Sequence, residues 1–209
     1  HIVFTSLQSS PNPGDWDNIE LYSSGNIISF VDYEYADLGI VGDGATGSSL
    51  DNVNMVGTLS LFSFAVYFTN STDLSITNNQ FVMSEEFSGE YAIYCLGCHN
   101  SVIDSNYISG NHSLSSISAD DCDNCDINGN IITGGPSRGI VSGSSDGTSI
   151  SYNEMDCSTG IEAENGSVLT IDHNIITDWG GYGINFNNSV NSSVSYNRII
   201  NRDDGGGYH

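Results

Sequence analysis

Two Cys-x-x-Cys pairs, Cys95-Leu-Gly-Cys98 and Cys122-Asp-Asn-Cys125, are the residues of this chain with the most chemical potential. Four thiolates at such spacings can hold zinc or an iron–sulfur cluster, or close as disulfides. A fifth cysteine, Cys157, stands apart as an odd thiol, either buried or available to cross-link a neighbouring molecule. The densest acidic run, Asp120, Asp121, Asp123 and Asp126, overlaps the second pair. Clustered carboxylates offer oxygen ligands to Ca²⁺, or a pair for glycoside hydrolysis. Their spacing does not match an EF-hand, so Asp120, Asp121 and Asp123 are at most a weak cation site, and a solvated turn is the simpler reading.

The elements that would position these residues come from a repeat. Asn79, Asn106, Asn130, Asn153, Asn174 and Asn197 recur at steps of 27, 24, 23, 21 and 23 residues, each inside an apolar-x-x-Asn-x-apolar frame. Thirteen residues before each stands Val66, Ile93, Ile117, Ile140, Ile161 or Ile184, and two further on Phe68, Cys95, Ala119, Ser142, Ala163 or Phe186. Alternate residues on one face are strand periodicity, and a fixed period of this length is a solenoid. Each coil should contain a strand, a turn, a second strand leading into the asparagine, and a third short strand. Length varies only between an asparagine and the next β-branched position, so loops should leave at one corner, Ser84–Glu90 being the longest. Glycine, serine and asparagine are too frequent for stacked helices. The pattern predicts an all-β, single-domain parallel β-helix of about eight coils over residues 38–209, with residues 1–37 as an N-terminal strand and capping segment.

The register then sorts the candidate sites. Cys98 and Cys122 each lie eight residues before their asparagine, so they should stack in adjacent coils with Cα atoms roughly 5 Å apart, which favours a Cys98–Cys122 disulfide over a zinc site. Cys95 and Cys125 lie eleven and five before, and share the inward parity of small core residues. The six asparagines are themselves structural: stacked amides can bond each other and the turn backbone. Tyr67 and Tyr94, both twelve before, should stack on an outer face with Tyr107 nearby, as a sugar or contact surface or simply as strand-stabilising pairs. Asn-x-Ser/Thr sequons occur at Asn70, Asn111, Asn165, Asn187 and Asn191, and Asn70, Asn165 and Asn187 fall at the expected exposed turn, where glycans are tolerated.

Charge bounds the partners. There are 26 acidic residues against three arginines and no lysine, a net charge of −23. This excludes nucleic acid as a direct partner and argues against an anionic membrane surface. It suits a saline or cation-rich exterior, with Ca²⁺ as a possible counter-ion. No apolar run is long enough to span a bilayer. The first residue is His rather than Met, and a cleaved leader is the expectation for a secreted chain.

Over residues 41–199 the repeat resembles the right-handed parallel β-helix repeat family, which includes pectin-degrading enzymes, polysaccharide epimerases, NosD-like proteins and archaeal surface or sheath proteins. The resemblance implies a right-handed solenoid. Lyases of that family use a Lys or Arg base with Ca²⁺, whereas here lysine is absent and only Arg138 lies mid-chain. Its glycosidases carry Gly-His-Gly and Arg-x-Lys motifs, absent here. His99, His112 and His173 are dispersed, and His99 and His173 sit at different repeat offsets, so NosD-likeness does not bring a copper site with it. The expectation is a non-enzymatic extracellular structural protein with no obligatory cofactor, a self-assembling subunit of a filament, sheath or surface layer. The alternative is a carbohydrate-active enzyme or polysaccharide-binding module.

Overall fold

The structure, a computed structural model, describes residues 1–12, 14–56, 64–83, 91–110, 114–178 and 180–201. The expected loop Ser84–Glu90 and the sequon at Asn111 lie outside these residues. Within them the chain winds through parallel strands on three faces, and among the described residues there is no helix. The first face stacks eight strands: Ile19–Leu21, Ile40–Asp43, Phe64–Thr69, Tyr91–Leu96, Ser115–Asp120, Arg138–Gly143, Thr159–Glu164 and Ile184–Asn187. The second and third faces form one bent sheet. From Ser75 on, each rung adds a strand to each, for example Val102–Asp104 and then Tyr107–Ser109.

Every neighbouring pair is parallel and in register. Val66 sits opposite Ile93, Ile117 opposite Ile140, and Ile103 opposite Ile127. Three inward columns follow, one per face. Ile93, Ile117, Ile140 and Ile161 fill the first, Ile76, Ile103, Ile127 and Ile150 the second, and Phe81, Ile108, Ile132 and Met155 the third, all buried. Each such side chain contributes about 1.5–3 kcal/mol by leaving water.

The corners explain the polar residues. Between the second and third faces one residue per rung takes a left-handed conformation: Asn52, Asn78, Ser105, Gly129, Tyr152, His173 and Tyr196, at φ between 52° and 63°. From Asn78 on, the next residue is the ladder asparagine. In each rung its backbone N–H and its amide donate to the side-chain oxygen of the asparagine one rung on, as Asn106 does to Asn130 at 3.0 and 2.9 Å. The amide also donates back to the carbonyl of the preceding rung, Asn130 to Ile103 at 2.9 Å. The ladder runs unbroken from Asn79 to Asn197, and the Val53 N–H donates to its first member, Asn79. Asn79 to Asn174 are buried with their hydrogen bonds made.

A column of small residues directly precedes the inward residues Ile40, Val66, Ile93, Ile117, Ile140, Ile161 and Ile184 of the first face: Gly39, Ala65, Ala92, Ser116, Gly139, Gly160 and Gly183. A Cβ on Gly39 would come within 1.8 Å of the Ala65 carbonyl oxygen, and one on Gly160 within 2.4 Å of that of Gly183. The rungs approach too closely there for larger side chains.

The N-terminal boundary needs correction. Ile19–Leu21 pairs with Ile40–Gly42 and Ile27–Tyr33 with Ser49–Met55, so the solenoid starts well before residue 38. The apolar pattern there lacks the ladder asparagine, its slot being held by Val31 and Val53, which hid the register. Ile2–Phe4 adds a further parallel strand, and Trp16 packs on Tyr33 with ring centroids 4.7 Å apart.

Replacing Asn130 by alanine removes its buried amide contacts and leaves the Asn106 N–H and side-chain amide without their shared acceptor. The expected loss is about 2–4 kcal/mol in urea unfolding followed by circular dichroism.

Candidate functional site

The four clustered cysteines lie at the corner between the first and second faces. The structure stacks Cys98 on Cys122, as the register requires, but the bond expected between them is not formed: the cysteines are buried thiols. The reason is their place in a hydrogen-bonded column of Ser71, Cys98, Cys122 and Ser145. The Cys98 N–H donates to Cys122 Sγ at 3.2 Å, and the Cys122 N–H to Ser145 Oγ at 3.0 Å. Each sulfur in turn contacts a carbonyl of the rung before, Cys98 that of Phe68 at 3.4 Å and Cys122 that of Cys95 at 3.4 Å. Ser145 does the same to Ala119 at 3.1 Å. The thiols replace serine hydroxyls in a turn. Cys125 plays this part in a second column with Ser101 and Thr148, donating to the Cys98 carbonyl at 2.9 Å. Cys95 faces the core, and its hydrogen bond to Cys98, followed by burial, holds its thiol well above the usual range.

Cys157 is fully buried, with its sulfur 3.2 Å from the Thr159 carbonyl, which overturns its role as an intermolecular cross-link. The acidic run is also split. Asp120 belongs to the first face, where burial raises its pKa against hydrogen bonds from Ser118 and Tyr94. Asp121 takes a left-handed corner position at φ 53°. Asp123 caps the Asp146 N–H at 2.8 Å, as Asp146 caps that of Ser167 at 2.8 Å. These carboxylates serve three different places and do not form a Ca²⁺ cage. Of the sequons described, Asn70, Asn165, Asn187 and Asn191 are all exposed, and Asn70, Asn165 and Asn191 hold left-handed corners. The Asn70 amide donates to Asp43 at 2.9 Å, and this bond is the leading cause lowering the Asp43 pKa.

The first face gathers the aromatic side chains. Tyr67 and Tyr94 stack as expected, with centroids 5.4 Å apart and planes within 3°. Phe64 and Tyr91, three residues before them, join the stack and make a half-exposed quartet. Sequence reasoning missed these two, although the same three-residue offset recurs in both rungs. Tyr107 is not nearby: it lies on the third face, against Thr133. Beyond the quartet come Ser115 and Ser118, and beyond those Arg138 and Val141. Arg138 donates to Glu162 at 3.1 Å and to the Leu114 carbonyl at 3.2 Å, and Asn185 donates to the other oxygen of Glu162 at 3.1 Å. Burial and then the Asp120 carboxylate push the Tyr94 phenol up. The Ser115 hydroxyl is buried and, among the described residues, has no hydrogen-bond partner.

Residues 20–205 match the family described as periplasmic copper-binding protein (NosD). The chain belongs to the NosD family. No curated protein is significantly similar to it. Among solved structures, PfbA, a surface adhesin of Streptococcus pneumoniae, is similar to 96% of this chain and 74% of its own, with 12% identity and a TM-score of 0.52. HetL, a pentapeptide repeat protein of the cyanobacterium Nostoc, gives 92% coverage of both chains at 10% identity and a TM-score of 0.25. Copper, named in the NosD description, does not fit the residues present. Among the described residues no three His, Cys, Asp or Glu side chains converge as a metal site, and the turn thiols are committed to backbone carbonyls. His112 lies outside the described residues.

Serine already fills the same columns one rung away, so Cys98→Ser should fold with a thermal midpoint within a few degrees of the parent. Cys98→Val, which leaves the Phe68 carbonyl without its donor, should lose about 1–3 kcal/mol in the same melts.

Proposed function

We propose that this NosD-family chain is a non-enzymatic protein of the cell exterior that assembles end to end into a surface filament, sheath or layer. The observation that carries this reading is the in-register parallel pairing of every described rung, together with the match to a family described as periplasmic. Phe186, Val194 and Ile199 are 36%, 50% and 51% exposed, while Ala163, Ile171 and Ile176, their counterparts one rung earlier, are 0% exposed. Beside Ile2–Phe4 an open cavity of about 420 Å³ is lined by Ile2, Phe4, Ile19, Leu21, Ile28 and Val31. These apolar positions lie next to strand edges, and strand edges are templates for pairing.

All strands run parallel, so only the upper rung of one molecule on the lower rung of another continues both sheets. Such a contact is heterologous and propagates as a fibre. At a net charge of −23 the subunits repel, so assembly needs salt or divalent cations. The family's description as periplasmic and the likeness to a surface adhesin are in keeping with a site outside the cytoplasm.

Negative-stain microscopy across salt and Ca²⁺ concentrations should show linear polymers that lengthen as repulsion is screened. Val194→Asp, at a position already half exposed, should keep the circular dichroism of the parent and abolish polymers. Monomers under every condition would refute the assembly.

A further inference from the structure

We propose that the outer surface of the first face, from Phe64 to Glu162, binds an uncharged polysaccharide. This goes beyond the assembly reading and does not depend on it. Four rings, Phe64, Tyr67, Tyr91 and Tyr94, stand within 20° of parallel at centroid separations of 4.7 to 5.9 Å. Such an array offers apolar ring surface to the C–H faces of sugars, while the phenols offer a polar edge. Stacking alone would also be explained by strand stabilisation. Three further features are not.

First, the face steps down abruptly. Ser115 and Ser118 are paired across the strands with Tyr91 and Tyr94, and the next rung carries the part-exposed Arg138 beside the buried Val141. The rings thus form one wall, the two serines a floor, and Arg138 with Glu162 the other wall. Second, the floor holds an unmet bond. Ser115 Oγ is fully buried and unpartnered, and it shares the outward column of Tyr91 and Arg138. Buried hydroxyls are nearly always paired, and a sugar hydroxyl can act as either donor or acceptor for it. Arg138, about a third exposed, reaches over this position to the Leu114 carbonyl and would move aside as the sugar enters.

Third, the remaining groups suit a neutral ligand. Asp120 and Glu162 offer carboxylate acceptors, and Arg138 and Asn185 offer N–H donors, on the same surface as the rings. Two carboxylates against one guanidinium, on a chain of net charge −23, repel uronates and sulfated sugars. A few convergent polar groups beside apolar rings are the makeup of a small-molecule site.

The test is calorimetric titration of the full chain with uncharged gluco-, manno-, galacto- and N-acetylglucosamine oligosaccharides, with polygalacturonate as the anionic comparison. At least one uncharged series should bind and polygalacturonate should not. Tyr67→Ala and Tyr94→Ala should each weaken binding about tenfold, and Tyr107→Ala on the third face should leave it unchanged. Ser115→Ala should keep or raise the thermal midpoint while lowering affinity, an outcome that a purely structural serine does not give. If the tyrosine-to-alanine variants unfold, Tyr94→Phe and Ser115→Ala decide. No binding of any uncharged series at millimolar concentration, full affinity in the folded variants, or a preference for polygalacturonate would overturn the proposal.

Discussion

The structure depends on in-register parallel pairing between successive turns of one chain. Along a strand that pairing is automatic, since each N–H finds a carbonyl one rung away. At a corner the backbone swings out of line and the ladder would break. Buried N–H groups without partners are costly, so every corner near the core needs a side chain that stands in for backbone. Asparagine does this between the second and third faces, with its amide donating in both directions along the stack. Serine, threonine and cysteine do it at the other turn, where one hydroxyl or thiol accepts an N–H from the preceding rung and donates to a carbonyl of that same rung. His99, Asp123 and Asp146 cap the N–H groups between them.

This requirement reassigns the residues that look most reactive. Three of the four cysteines in the two Cys-x-x-Cys pairs are turn donors and the fourth, Cys95, faces the core, while aspartates in a dense run are caps and face residues. Chemistry is thereby removed from the corners and confined to surfaces that the ladders leave free. The first face is such a surface, because its outward side chains have no part in closing a turn.

The repeat was legible in the sequence because three columns of β-branched or large apolar residues and one of asparagine return at constant offsets, and periodicity survives without knowledge of distant contacts. Residues 1–37 were harder to read because valine replaces asparagine in the ladder slot there. The small-residue column from Gly39 to Gly183 was also hidden, since only the closeness of adjacent backbones shows why alanine, serine and glycine alone are admitted.

The sequence by itself determined the solenoid, its register and which side chains share a column, because these follow from spacing along one chain. Only the tertiary structure decided what each column does. Two stacked cysteines are equally compatible with a disulfide and with a serine-like turn, and the positions of the Phe68 and Cys95 carbonyls settle which groups the sulfurs meet. Likewise Tyr67 and Tyr94 were bound to stack, but the burial of Ser115 between Tyr91 and Arg138 follows only when three rungs lie side by side. Register sets neighbours along the axis, whereas hydrogen-bond geometry and side-chain height across a face are properties of the folded surface.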